Sequence, residues 1–516
     1  MAEENEERYI FLVMKQKTGE IPEKIPGLEK KGWRPLMMAD KLEWKDEKSG
    51  MLKTYPSKEI RKSPVSIGFE CLDRQVFDPE PCYEKLGRIG IKRARCQTGW
   101  NRCEPVKNQY DFTWLDDIVE KLLSQGIQPW FNVGFGNKLY MPEAFGEAAV
   151  GAVPLYYGEE ALQAWQRYVR ALSRHFRKRI QYFEVWNESN ISPFWQPETP
   201  SPGEYARLIH ITAGEIRKEI PDAKIGACIA GSMCDYLLEF AGTGILREID
   251  FFCIHPYCIQ PEIDYPETIS ALRRLFDRNG GGHAALWQGE AGYASWTPDP
   301  YWHPRYVRES ERNQAVWLLR RYFTDMSCGI EMSSYFQTAD MMEKAYQVGS
   351  GTQKNPARHG ILNGLTYTPK KAYFAMANVC SIFRDGTAPE PLFMSVNFDD
   401  AFSRMERHSR IQDLAVRKYT FVRNGSPFFA YYLPEDPQFQ FAGCGNIRVT
   451  LIRDELSNSF RNPVLIGMLA GEVYPLRIHK TGPLLELTGL PLTDYPLVIC
   501  DRDAVEIVPA PAGSPA

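Results

Sequence analysis

One pattern constrains this chain more than any other. Short apolar runs alternate with amphipathic stretches, eight times over, between Val65 and Phe336. The runs are residues 65–70, 91–96, 127–133, 182–187, 224–230, 249–255, 285–290 and 330–336. Each is short and apolar, as strands buried on both faces must be. Helix signals lie between them. Leu162, Trp165, Val169, Leu172 and Phe176 recur at helical spacing, an apolar stripe on one helix. Residues 309–327 and 370–383 carry similar stripes. Thr113-Trp-Leu-Asp116 reads as a capping box that opens a helix through Leu123, which Gly126 stops. Strands alternating with helices over this length predict a closed (β/α)₈ TIM barrel across residues 64–384. An open doubly wound sheet would want a Gly-rich phosphate loop after its first strand. Gly68-Phe-Glu-Cys-Leu-Asp73 is not one.

The texture changes after residue 384. Residues 418–422, the pair Asn424-Gly425 and residues 428–433 read as a β-hairpin with a tight turn. Residues 464–469 and 497–500 are further strand candidates, so residues 385–516 are expected to form a β-sandwich. Residues 1–63, with a candidate strand at 9–14, are expected to lend strands to it, because the barrel leaves them nowhere else to pack. The tail at 509–516 is expected to be disordered.

Charge and composition exclude several classes. The 516 residues carry a net charge of −4 with interspersed signs. A nucleic-acid or anionic-membrane partner would need a basic face. The longest apolar runs are too short to span a bilayer. The first residues, Met-Ala-Glu-Glu-Asn-Glu-Glu-Arg, lack a basic segment followed by an apolar one, so no secretory signal is read there. The twelve Cys are scattered without a Cys-x-x-Cys pair. Buried free thiols in a reducing cytoplasm are the expectation, with no metal and no cofactor. Walker, His-Glu-x-x-His and Gly-x-Ser-x-Gly motifs do not occur.

Barrel enzymes place reactive groups at the C-terminal ends of their strands. The fourth run ends in Asn187-Glu188 and the seventh in Gly289-Glu290. An acid of this kind alone reads more readily as a solvated or ion-paired side chain. Two on opposed strands converge over the mouth, as glycoside hydrolysis requires of its two carboxyl groups. The sixth run ends His255-Pro-Tyr257, whose two side chains point the same way and can hydrogen-bond those carboxylates. On the second run Arg93, Arg95 and Gln97 share one face. A buried Arg95 needs a carboxylate partner, for which both Glu290 and Glu184 are candidates.

At Val185-Trp-Asn-Glu188, His255-Pro-Tyr257 and Gly289-Glu290 the chain resembles clan A of the glycoside hydrolases. Within the clan it is most similar to family 39, the β-xylosidase and α-L-iduronidase family. Four further stretches carry that similarity: Tyr110 to Asp116, Asn187 to Asn190 with Phe194-Trp195, Ser334-Tyr-Phe336, and Tyr367-Thr-Pro-Lys370. The resemblance implies a retaining, exo-acting hydrolase of a carbohydrate substrate, with Glu188 as acid/base, Glu290 as nucleophile and Asn187 on the sugar 2-hydroxyl. It also implies a sandwich made from both termini, and possible homo-oligomers. Two positions depart from the family pattern. Arg95-Cys-Gln97 stands where Arg-x-His is usual, and Tyr335-Phe336 where Tyr-Trp is usual. Gln97 and Phe336 are therefore expected to line the sugar site differently. A transglycosylase or phosphorylase on the same barrel, and a non-catalytic carbohydrate-binding protein, are the rival readings.

Overall fold

The computed structural model describes residues 48–258, 260–295, 310–341, 346–348, 351–353, 358–398, 416–435, 437, 444–452 and 460–509. Eight parallel strands close into a barrel: β1 Val65–Gly68, β2 Arg93–Gln97, β3 Gln128–Val133, β4 Tyr182–Val185, β5 Lys224–Ala230, β6 Phe251–His255, β7 Ala285–Ala291 and β8 Met332–Tyr335. β1 pairs with both β2 and β8, which completes the ring. The expected (β/α)₈ TIM barrel is thus the fold. Several strands are shorter than the apolar runs that announced them. Glu70 and Glu188 consequently lie just past their strand ends.

Helices follow the strands: α1 Tyr83–Arg88, α2 Thr113–Ser124, α3 Gly158–Phe176, α4 Pro202–Glu219, α5 Cys234–Gly242, α6 Tyr265–Arg278, α7 Glu311–Ser327 and α8 Lys371–Ile382. On α3 the stripe predicted from spacing is buried at Trp165, Val169, Leu172 and Phe176. Ser201 caps α4 by accepting from Glu204 N, with Pro202 in the first turn, where its missing N–H costs nothing. The capping box at Thr113 is a correction. Thr113 is the first residue of α2 and no side chain caps it from the preceding Phe112. Asp111 does the work from one position further back, its Oδ1 accepting from Thr113 N at 2.9 Å.

The barrel interior divides into a dry lower half and a polar upper half. Trp130, Cys228, Phe251, Cys253, Trp287 and Met332 form the apolar plug. Phe251 and Trp287 stack at 4.0 Å, with Trp130 edge-on to Trp287 at 5.4 Å. Beside Phe251, in register on the neighbouring strand, is Gly226, where a Cβ would come within 2.1 Å of the ring, so the small residue makes room for the large one. Trp130 is therefore core.

Among the described residues two larger antiparallel sheets flank the barrel, and Tyr346–Val348 pairs with Gly351–Gln353 in a separate two-stranded one. The larger runs in the order Ala388–Pro389, Arg417–Arg423, Ser426–Tyr432, Leu497–Asp501, Pro463–Gly467, Glu472–Pro475, Gly50–Leu52 and Ile507–Val508. The smaller joins Met394–Phe398, Cys444–Ile452, Leu484–Leu492 and His479–Thr481. The predicted hairpin is present, with Asn424 and Gly425 both at positive φ, as a two-residue turn of this hand demands. Gly50–Leu52 pairs with strands from the far end of the chain. The candidate strand at 9–14 and the tail from residue 510 lie outside the described residues. Phe323, Phe383 and Phe421 pack edge to face where α7 and α8 meet the larger sheet. No described helix is long and apolar enough to cross a membrane.

Candidate active site

The C-terminal mouth of the barrel gathers four carboxyl groups, three of them on one guanidinium. Arg95 stands on the inner face of β2, its guanidinium 5.7 Å above the Trp130 ring. Nη1 donates to Glu290 Oε2 at 2.8 Å and to Glu70 Oε1 at 3.2 Å. Nη2 donates to Glu184 and, at 2.8 Å, to Asn187 Oδ1. Both partners weighed for Arg95 from the sequence are therefore engaged at once. Burial alone would lower the Arg95 pKa. The charges of Glu184, Glu70 and Glu290 reverse this and hold it well above the ordinary value.

Glu290 comes inward through an irregularity in β7. Its pairing with β8 steps from Gln288↔Ser333 to Ala291↔Tyr335, three residues against two. An extra residue in a strand turns the next side chain to the other face. Gly289 and Glu290 thus both face the interior. A Cβ on Gly289 would lie 2.9 Å from Cys253 Cβ and 3.2 Å from His255 Nε2, so glycine leaves room for the imidazole. The hydroxyl of Tyr257 donates to Glu290 Oε1 at 2.8 Å. Burial of that hydroxyl, with the charge of Glu290 beside it, raises the Tyr257 pKa well above normal, although 43 % of the residue is exposed.

Glu188 projects from a tight exit turn after β4. Trp186 and Glu188 both have positive φ, 67° and 45°. Such backbone is costly for non-glycine residues and persists only where neighbours enforce it. Those neighbours are on hand. Trp186 Nε1 donates to Phe194 O at 2.6 Å, Tyr205 OH to Val185 O at 2.6 Å, and Ser189 Oγ to Cys228 O at 3.2 Å. Glu188 Oε1 lies 2.9 Å from His255 Nδ1, and the other ring nitrogen is 3.2 Å from Cys228 Sγ. Burial, then the charge of Glu184, keeps the Cys228 thiol neutral. A neutral S–H can donate to Nε2, which leaves Nδ1–H to point at Glu188.

The geometry separates the remaining site candidates. Asn187 is buried and tied to Arg95. Phe336 lies at the mouth beside Tyr257, centroids 6.4 Å apart, and beside His359 at 5.8 Å. Gln97 spends its carbonyl oxygen on Arg74 Nη2 at 2.8 Å and Cys71 N at 3.2 Å, so it props the loop after β1. Three contributors escaped the sequence reading. Glu70 is buried beside Arg95, and Cys228 orients His255. Asn132 donates at 2.6 Å to Glu184 Oε1 and at 2.6 Å to Trp186 O. Glu70 had a signal, since it closes the first apolar run by the rule that singled out Glu188 and Glu290.

Two compact donor sets occur among the described residues: Glu188, His255 and Glu290, and below them Glu184, Cys228 and His255. Either could hold a divalent ion by proximity. In each set the donors already hydrogen-bond one another or Arg95. One oxygen of Glu188 and one of Glu290 lie within 4.8 Å of each other. That spacing suits two carboxyl groups flanking one bond, one on each side of it.

Comparison with known proteins agrees with this geometry. The family model described as glycosyl hydrolases family 39 matches residues 88–271. A β-xylosidase of Geobacillus stearothermophilus is 28% identical over 168 residues, 30% of this chain and 31% of that one. A β-xylosidase of Caldicellulosiruptor saccharolyticus is 23% identical over 285 residues, 52% of this chain and 55% of that one. The chain thus spans about a third to a half of the curated relatives it matches. Among solved structures, a family 39 glycoside hydrolase from Bacteroides cellulosilyticus WH2 superposes with a TM-score of 0.62 at 15% identity, covering 87% of this chain and 83% of that one. A GH30 endoxylanase from Clostridium papyrosolvens C71 gives 0.53 at 11%, covering 90% and 99%. At such identities the likeness is one of fold. The family match lies within the barrel, and over that stretch the chain is similar to the glycosyl hydrolases of family 39.

Proposed function

We propose that this protein hydrolyses short β-linked glycosides with retention of configuration, Glu290 acting as nucleophile and Glu188 as acid/base. The observation that carries the reading is that one carboxylate oxygen of each lies within 4.8 Å of the other. Retaining enzymes hold the two groups about 5–5.5 Å apart, and inverting ones leave room for a water between them. Glu290 attacks the anomeric carbon, its two oxygens oriented by Arg95 and Tyr257. Glu188, held by His255, protonates the leaving oxygen and then activates the water that releases the sugar. In this reading Asn187, whose Oδ1 accepts from Arg95, contacts the 2-hydroxyl through its amide nitrogen.

The finer reading is exo action on terminal sugars. β-Xylosides come first among substrates, because both curated relatives are named for that activity. Buried free thiols at Cys96, Cys228 and Cys253 favour a reducing, cytoplasmic setting.

The test is azide rescue. Glu188→Ala should lose about 10²–10⁴-fold in rate on unactivated glycosides. On nitrophenyl glycosides azide should restore turnover and yield the β-glycosyl azide. A variant that azide does not rescue on any sugar of a nitrophenyl panel removes Glu188 from the acid/base role. The responding sugar names the substrate.

A further inference from the structure

Arg95 cannot balance the carboxyl groups around it. Glu70, Glu184 and Glu290 all contact its guanidinium, and Arg95, Glu70 and Glu184 are buried to within 1%. Three anions on one cation would leave two uncompensated charges in a site largely shielded from water, which is costly. One carboxyl group must carry a proton. Glu184 accepts from Arg95 and Asn132, and Glu290 from Arg95 and Tyr257. Glu184 Oε2 and Glu70 Oε2 are both buried without a hydrogen-bond partner, but Glu70 has the longest of the Arg95 contacts and accepts from no second side chain. Glu70 Oε2 lies over Gly68, where a Cβ would be 2.0 Å away. The proton belongs there. Burial pushes the Glu70 carboxyl up to about 8 against the pull of Arg95, and the charge of Glu290 adds to the rise.

We propose that Glu70 is a positioning residue that exchanges charge with Glu290 across Arg95, neutral while Glu290 is a carboxylate and ionised once Glu290 is esterified to the sugar. The proposal rests on the nucleophile assignment above. In the first half-reaction a Glu290 oxygen bonds to the anomeric carbon. The carbon–aglycone bond breaks, and the leaving oxygen keeps its electron pair and takes the Glu188 proton. Glu290 has then lost its charge. Arg95 Nη1, which bridged the two carboxyl groups, keeps only Glu70. The Glu70 O–H breaks, its proton passes to bulk water, and the new carboxylate takes over the guanidinium. Hydrolysis of the ester restores the Glu290 carboxylate, and Glu70 takes a proton back. Arg95 therefore stays oriented, and the summed charge of the three carboxyl groups on its guanidinium stays constant through the cycle.

The other groups facing Glu70 do not compete for this proton. Cys71 beside it is pushed up to about 12 by burial, and Cys96 on β2 higher still. Tyr257, after β6, is raised well above its ordinary value. Arg74 on the adjoining loop is paired with Asp73.

The exchange is tested by counting protons as the intermediate is trapped. A 2-deoxy-2-fluoro glycoside with a dinitrophenolate leaving group is added at neutral pH in weak buffer with an indicator dye. Mass spectrometry locates the label. Wild type should release up to about one proton per labelled site more than Glu70→Gln, the contribution of Glu188 being common to both. Equal release from proteins both labelled at Glu290 overturns the exchange alone. A label that never reaches Glu290 overturns the nucleophile assignment, and the exchange with it. Should Glu70→Gln not fold, wild type carrying ¹³C-labelled glutamate carboxyls serves. One carboxyl should titrate far above the usual carboxylate range in the free protein. Its midpoint should fall by at least about one pH unit on trapping. An unmoved midpoint overturns the proposal.

Discussion

Arg95 and Arg320 are both fully buried arginines bonded to carboxylates, and they do opposite things. Arg320, on α7, meets Glu262 through two bonds, Nε to Oε1 at 2.5 Å and Nη2 to Oε2 at 3.0 Å. Its remaining nitrogen donates to Glu435 O at 2.6 Å, and Tyr432 OH donates to Glu262 Oε1 at 2.8 Å. One cation faces one anion. Burial alone would raise the Glu262 pKa. The Arg320 charge and the bonds from Arg320 and Tyr432 outweigh it and bring the pKa below normal. This pair joins a barrel helix, a barrel loop and the larger flanking sheet. Arg95 is oversubscribed instead, and its surplus surfaces as the raised Glu70 carboxyl. A balanced cluster fixes geometry; an unbalanced one keeps a proton that can move.

The balanced pair should be the more expensive to break. Arg320→Met leaves Glu262 charged and buried, and should cost about 3–5 kcal/mol in urea denaturation. Adding Glu262→Leu should recover most of that loss, because a well-packed apolar pair replaces a buried ion pair at little cost. Turnover by the folded fraction should not change. A single variant within about 1 kcal/mol of wild type would mean that Arg320 holds nothing together, and the contrast with Arg95 would collapse.

The unbalanced cluster should reveal itself through pH. A carboxyl raised in the folded state from 4.5 to about 8 contributes stability below its unfolded pKa and loses it as pH rises toward 8. Glu70→Gln does not titrate. Its stability relative to wild type should therefore grow by up to about 1.4 kcal/mol per pH unit across that window, and stay level outside it. Denaturation midpoints at several pH values measure this directly. A constant difference would mean that Glu70 is ionised in the fold, and Arg95 would then resemble Arg320 after all.

The two clusters also differ in how far the sequence disclosed them. Glu188 and Glu290 were legible because barrel chemistry sits at strand ends, and both acids close apolar runs. Glu70 closes one too, but nothing beside it in the chain marks chemistry as Asn187 marks Glu188. The inward turn of Glu290 was hidden. Strict alternation from the interior Trp287 points Gly289 inward and Glu290 out, and only the irregularity against β8 corrects this. Gln97 was read on the right face, yet its partner Arg74 comes from a loop twenty-three positions earlier. Arg320 and Glu262 are 58 residues apart, on a helix and in a loop, so no local period connects them. Periodicity reports which face a residue takes. It does not report which distant group will meet it there.

The smallest expected effects lie in two tyrosines that make the same bond. Tyr432 and Tyr257 each donate a hydroxyl at 2.8 Å to a carboxylate held by one of these arginines. Tyr432 is fully buried, and its loss leaves Glu262 short of a donor in a dry setting. Tyr432→Phe should cost about 1–2 kcal/mol of stability and leave kcat/KM alone. Glu290, unlike Glu262, keeps 14% of its side chain exposed, so water can take the place of the Tyr257 hydroxyl in the resting protein. Tyr257→Phe should change stability by less than about 0.5 kcal/mol. It should still lower kcat/KM about tenfold, because the lost bond orients Glu290 when water is displaced by the sugar. Denaturation curves and steady-state rates on the two variants give all four values. If Tyr432→Phe slows turnover while Tyr257→Phe only destabilises, the roles drawn for the two arginines are reversed.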